Sequence, residues 1–144
     1  MISIKKDMNK IYLAGAMLVD PNNRLLVVRK KNSTYYMMPG GKIEKGELSS
    51  QALVRELKEE LDLNISLSEL EYLGFHETEA VNEVDTIVRG EIFKIELKAA
   101  LDVFPQAEIE EAIWLTLDNY ENYPLAHLIE QFTIPIWKAG TFEY

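Results

Sequence analysis

Apolar and polar positions alternate in blocks that predict a strand hairpin, a helix, three further strands and a second helix. Tyr12-Leu-Ala-Gly-Ala-Met-Leu-Val19 is almost wholly apolar and predicts a buried strand. Asp20-Pro-Asn-Asn23 supplies turn chemistry, and Arg24-Leu-Leu-Val-Val-Arg29 returns as a second strand, so the pair predicts a hairpin. Lys30 to Tyr36 is a polar loop, and Pro39-Gly-Gly41 a sharp turn. From about Ser50 to Asp62 the period changes. Leu53, Leu57 and Leu61 fall at i, i+4 and i+8, the core stripe of a helix that Ser49 or Ser50 can cap. Glu71 to His76, Asp85 to Leu97 and Ala112 to Leu117 predict strands. Pro124 to Phe132 predicts a helix with proline near its first turn. Strands alternating with two helices define a mixed α/β chain.

The 144 residues, with 47% hydrophobic content and no repeat or linker-like stretch, suit one domain spanning 1–144. Cysteine is absent, which excludes a disulfide, a thiolate metal site and a thiol nucleophile. No apolar run has membrane length, and Met1 to Asp7 lacks a signal-peptide layout, so a cytoplasmic location and no membrane partner are expected. The net charge of −9 argues against nucleic acid as a partner, because such binding draws on Lys and Arg contacts to phosphate. Solubility alone accounts for such a charge. It would equally repel a free polyphosphate, so a phosphate substrate would need cations to screen the site.

The candidate chemistry lies on the central helix. Glu56, Glu59 and Glu60 sit at i, i+3 and i+4 and stack on one face, distinct from the leucine stripe. Like charges at i,i+4 cost an isolated helix roughly 0.2–0.5 kcal/mol per pair. A hard divalent cation, Mg²⁺ or Mn²⁺, would offset that cost. The competing account is a solvated acidic face interleaved with Arg55 and Lys58.

Register with the residues before the helix favours the cation. Gly41, Glu47, Arg55, Glu56, Leu57, Glu59, Glu60 and Leu63 match the pattern G-x5-E-x7-R-E-U-x-E-E-x-G-U, with U bulky and apolar. Residues 41–63 thus resemble the Nudix box. One position departs: Asp62 stands where the family has glycine, a site expected to close the helix in a left-handed conformation. The resemblance implies an α/β/α sandwich with a mixed sheet and a loop–helix–loop box. It also implies metal ligation by Glu56, Glu59, Glu60 and the Gly41 carbonyl. Arg55 would pair with Glu47 to fix the loop, in preference to touching phosphate. The general base is Glu56 or an acid outside the box. The stretch Glu108-Ile-Glu110-Glu111 lies where relatives place an extra acid; for any single residue an exposed acidic loop is the plainer reading, and of the three acids Glu111 is preferred.

Arg29, Lys42 and Arg89 are candidate phosphate contacts, each weighed against an ordinary surface role. Tyr35 and Tyr36 are candidates to flank a base, and Asn82 and Glu83 to form a substrate loop. His76 and His127 have no neighbouring His or Cys to make a metal site; His127, Trp114 and Trp137 read as structural. Thr133-Ile-Pro-Ile-Trp137 would serve a homodimer or cap the core. The resemblance implies a small-molecule substrate, a nucleoside diphosphate linked to another group. Subgroup marks for ADP-ribose and dinucleoside polyphosphates are missing at Thr78 and at Glu79 to Val81, which favours a nucleoside triphosphate or an unassigned subgroup. Isoprenoid diphosphate isomerisation on a related fold uses a cysteine, which this chain lacks. The alternative from another class is a non-catalytic nucleotide-sensing or protein-binding domain, which usually loses box acids retained here.

Overall fold

The predicted hairpin is built around Asp20. In a computed structural model that describes residues 9–140, β1 (Asn9–Val19) and β2 (Leu25–Lys30) meet antiparallel at Val19 and Leu25. The Asp20 carboxylate accepts the backbone N–H groups of Asn22 and Arg24, each at 2.9 Å, which closes the turn. The Met1 to Asp7 stretch lies outside the described residues.

Beyond the turn β1 and β2 part, and residues 36–42 fill the gap between them. Met37 exchanges both backbone hydrogen bonds with Val28, and Pro39 accepts from Ala16. A short strand, β3 (Gly40–Lys42), then pairs with β1. The sequence predicts only a turn here. β4 (Glu71–Glu79), β5 (Thr86–Glu96) and β6 (Ile109–Leu115) complete a mixed sheet of order β4-β5-β1-β2-β6, with β3 beside β1. β1 and β5 run parallel; the other pairs are antiparallel. β4 runs on to Glu79 and β6 begins at Ile109, both beyond their predicted limits.

β1 is apolar throughout its second half because both sheet faces are covered there. Ala14, Ala16 and Leu18 face the helix α1 (Ser49–Leu61), whose Leu53, Leu57 and Leu61 are fully buried against them. Each such leucine contributes about 1.5–3 kcal/mol by leaving water. Met17 and Val19 face the opposite way, onto Leu128, Ile129, Ile134 and Trp137. The α/β/α sandwich is therefore present. α1 is capped by Leu48, with its N–H donating to Gln51 Oε1, and not by a serine.

The second helix is displaced from its predicted span. Pro124 and Leu125 are extended, and backbone bonds link Tyr36 to Pro124 and Ala126. The helix occupies residues 127–140, with a π-helical turn at Ile129–Thr133 followed by α2 (Ile134–Gly140). Pro135 lies just inside α2. It has no N–H to donate, and its ring would crowd the carbonyl four residues back; the wide turn before it relieves both problems. Ile134 and Trp137 are buried, so the Thr133-to-Trp137 stretch caps the core.

Candidate active site

Two glycines allow the loop to run this close to its neighbours. Gly40 has φ of 142°, and a Cβ there would lie 2.0 Å from the Ala14 carbonyl oxygen. A Cβ on Gly41 would lie 2.4 Å from Cδ of Glu56, so the absent side chain is what lets the glutamate reach the loop. Arg55 fastens the loop from the other side. Its Nε and Nη2 grip Glu47 at 2.6 and 2.9 Å, and Nη2 also donates to the Lys42 carbonyl at 3.1 Å. This bidentate clamp is the predicted Glu47–Arg55 pairing. The Arg55 hydrogen bonds hold the Glu47 carboxyl down at about 2.

The three acids of the helix differ sharply in their surroundings. Glu59 is 55% exposed, and Glu56 is partly buried. Both lie near Arg55 Nη1, at 3.3 and 3.0 Å. Glu60 is 2% exposed, with one long hydrogen bond from the Gly40 N–H at 3.4 Å. Burial, helped by the neighbouring charge of Glu56, pushes its carboxyl up to about 8. Burial likewise raises that of Glu56. Glu108 adds its charge to both. The Gln106 N–H donates to the Glu60 carbonyl at 2.8 Å, which ties the loop carrying Glu108 to the end of the helix.

These residues fit a divalent cation. Glu60 is buried near other carboxylates with no ion pair of its own among the described residues, only the more distant charge of Lys30 opposing them, and the donors are all hard oxygens. Among the described residues no three acidic or histidine side chains converge as a ready-made cation site. Arg55 Nη1 draws Glu56 and Glu59 to itself, while its other nitrogens keep the loop.

Beside Glu60 opens a cavity of about 320 Å³. Val28, Met37, Val88, Leu128 and Ile129 make it apolar, and Lys30, Lys42, Asn82 and Glu83 add polar groups. Of the residues expected at the substrate, Lys42, Asn82 and Glu83 line this cavity. Arg29, Arg89 and Tyr36 do not line it. Arg29 is held by Glu111 at 3.3 Å and donates to the Ser33 carbonyl at 3.0 Å. The Arg89 guanidinium sits over Phe75, its Cζ 3.6 Å from the ring centre, and pairs with Glu77 and Glu91. Tyr36 is buried, its hydroxyl donating to Glu111 at 2.7 Å and its ring set edge-on to Tyr123. Glu111 is thus engaged with Arg29 and Tyr36, while Glu108 is largely exposed, 4.0 Å from Lys30, on the loop tied to the end of the helix. Lys30 was missed by the sequence reading. Strand alternation was the available signal: Val28 and Lys30 share a face, and Arg29 takes the other.

A mixed sheet between helices, with a glycine turn feeding a carboxylate-bearing helix beside a cavity, is the Nudix architecture. The NUDIX domain profile matches residues 11–134. ADP-ribose pyrophosphatase of Methanocaldococcus jannaschii is 30% identical over 156 aligned residues, covering 94% of this chain and 83% of that protein. The 8-oxo-dGTP diphosphatase of Escherichia coli is 38% identical over 60 residues, 39% of this chain and 46% of the relative. Among solved structures, a MutT protein from Methanosarcina mazei Go1 superposes with a TM-score of 0.77 at 19% identity, covering 95% of this chain and 99% of its own. A bifunctional NMN adenylyltransferase/ADP ribose pyrophosphatase from Francisella tularensis, complexed with AMP and a Mn ion, gives 0.70 at 21% identity, over 92% of this chain and 43% of its own. The two structures bear on the fold alone. The chain belongs to the Nudix family and is a Nudix pyrophosphohydrolase, a class that generally uses divalent metal ions.

Proposed function

We propose that this protein hydrolyses a phosphoanhydride bond of a nucleoside diphosphate linked to another group. A nucleoside triphosphate, giving monophosphate and pyrophosphate, is the leading substrate. The observation that carries this reading is the buried Glu60, with Glu56 and Glu108 beside it, at the wall of a cavity large enough for a nucleoside. The relatives act, by name, on ADP-ribose and on 8-oxo-dGTP, which share a nucleoside diphosphate core. Retention of every acid of the box favours catalysis over a nucleotide-sensing role.

The apolar part of the cavity receives the nucleoside, and Lys30 and Lys42 meet the phosphates at the end bounded by Gly40, Gly41 and Glu60. Glu56, Glu59, Glu60 and the Gly41 carbonyl are the groups that would hold Mg²⁺ or Mn²⁺. A bound cation supplies neutralisation of phosphate charge and a more acidic water. Water oxygen attacks phosphorus, the bridging P–O bond breaks towards the leaving phosphate, and the water proton passes to a carboxylate. Glu108 is the proposed acceptor, in place of Glu111, because the Gln106–Glu60 backbone bond brings its loop to the end of the helix while Glu111 is engaged by Arg29 and Tyr36.

The test is phosphate release from nucleoside triphosphates, ADP-ribose, dinucleoside polyphosphates and nucleotide sugars, with Mg²⁺, Mn²⁺ or EDTA. Wild type, Glu59→Gln, Glu108→Gln and Glu111→Gln are run together. Metal-dependent turnover is expected, with Glu108→Gln slower by on the order of 10²-fold and Glu111→Gln retaining the larger share. Turnover indifferent to EDTA would sink the reading. Greater loss in Glu111→Gln than in Glu108→Gln would return the proton to Glu111.

A further inference from the structure

Besides β1, the glycine turn and Glu60, three segments contribute to the cavity wall: residues 28–37 through Val28, Lys30 and Met37, residues 78–83, and residues 126–129. Their junctions differ in kind. The first and third are stitched by backbone, Tyr36 N–H to the Pro124 carbonyl and Ala126 N–H to the Tyr36 carbonyl, each at 2.9 Å. The second crosses to its neighbours through side chains. Asn82 Nδ2 donates to Ser33 Oγ at 3.1 Å, and His127 Nδ1 meets the Glu79 carbonyl at 3.0 Å. A carbonyl can only accept, so His127 carries its proton on Nδ1 in that contact.

The two sides of the Asn82–Ser33 contact are unequally supported. Ser33 is braced from behind. Its carbonyl accepts from Arg29, its N–H donates to the Lys30 carbonyl, and its hydroxyl accepts from the Tyr35 N–H at 3.1 Å. Arg29 is in turn fixed by Glu111, which also accepts from Tyr36. Arg29, Tyr36 and Glu111, all expected at the chemistry, thus form a post. Asn82 stands on the tip between β4 and β5, whose last backbone bond before the tip is Ala80 N–H to the Thr86 carbonyl. Val84 on that tip is 85% exposed, and Asp85 takes a left-handed φ of 52°. A segment with little buried surface and exposed side-chain bonds opens at low cost.

We propose that residues 80–84 are a jaw over the cavity and that Asn82–Ser33 is its clasp, a pair that controls admission of the nucleotide. The proposal rests on the reading of the cavity as the nucleotide site. Opening breaks exposed hydrogen bonds that water replaces, and closing restores them around the bound nucleoside.

The chain has no cysteine, so a Ser33→Cys/Asn82→Cys variant carries the sole pair of thiols. Dibromobimane, which becomes fluorescent when it bridges two thiols, reports whether they meet. The readouts are the association rate of a mant-labelled purine nucleoside triphosphate in stopped flow and kcat/KM on the best substrate. Bridging is expected to lower both by more than about tenfold relative to the same variant unbridged, while either single-cysteine variant treated identically is spared. Asn82→Ala is expected to raise KM severalfold and leave kcat within about twofold. Failure to bridge, or unchanged association and kcat/KM after bridging, overturns the clasp. Wild type that binds the nucleotide without hydrolysing it overturns the hydrolase reading alone, since association still reads the clasp. Wild type that binds no nucleotide overturns both.

Discussion

Glu47 and Glu60 stand at opposite ends of the same loop–helix unit and experience opposite environments. Glu47 receives two hydrogen bonds from a guanidinium and is held down at about 2. Glu60 is sealed behind Gly40 with a single long bond and is pushed up to about 8. One carboxylate is satisfied by the protein. The other is left for something the protein does not itself provide. A fold that maximised stability would treat both alike, so the difference separates scaffold from chemistry.

The largest effect is expected at Glu60. The native state holds its proton up to about pH 8, whereas the unfolded chain releases it near 4.5. Native protein therefore binds more protons between those values, and metal-free stability falls as pH rises from 4.5 to 8, by up to ~5 kcal/mol. Glu60→Gln should flatten that slope and raise the unfolding midpoint in EDTA at pH 8. Turnover should fall by on the order of 10²-fold or more. Urea unfolding from pH 5 to 9 checks the first outcome and phosphate release the second. An unchanged slope in the variant would mean that Glu60 is satisfied after all.

Glu47→Gln should act in the opposite sense. The Glu47 carboxyl lies below its ordinary 4.5, so its contribution is present above that value and is lost as pH falls towards 2. The variant should lose stability at neutral pH and lose the acid transition contributed by this pair. Removing support behind metal-binding acids typically costs ~10–100-fold, and turnover should fall within that range. Arg55→Lys should resemble it, because an ammonium cannot reproduce the bidentate grip. If Glu47→Gln and Glu60→Gln shift the neutral unfolding midpoint in the same direction, the contrast between them is wrong.

The contrast was half legible in the sequence. The resemblance carried by Gly41, Glu47 and Arg55 implied the clamp, and the leucine stripe declared which helix face is buried. The same stripe concealed the fate of Glu60, which neighbours Leu61 and is drawn under the β3 turn. β3 itself was illegible because Gly-Gly-Lys carries no β-forming residue; the parting of β1 and β2 creates it. The choice between Glu108 and Glu111 was not legible, because the Gln106–Glu60 backbone bond that brings the Glu108 loop to the helix end is a contact between distant segments that no local pattern encodes. The late helix moved because Pro124 looked like a helix start, whereas its carbonyl is taken by Tyr36 in an extended bridge.

The smallest effect belongs to the position where the box departs from its pattern. Asp62 closes α1 with φ 55° and ψ 34°, the left-handed conformation for which glycine is the usual residue. Non-glycine residues enter it at roughly 1–2 kcal/mol, and Asp is among the least penalised. Part of that cost is offset locally. Lys58 pairs with the Asp62 carboxylate at 2.5 Å, but both side chains are about half exposed, so the pair contributes only ~0.2–1 kcal/mol. Asp62→Gly relieves the strain, gives up the ion pair and adds backbone entropy to the unfolded chain. These terms nearly cancel, and a gain below ~1 kcal/mol is expected in the urea midpoint. Turnover should stay within about twofold of wild type, because Asp62 lies one turn beyond Glu59 and touches none of the acids that face the cavity. A large rise in turnover on restoring glycine would instead show that the helix end tunes Glu60, and would extend the reactive region two residues past the buried acid.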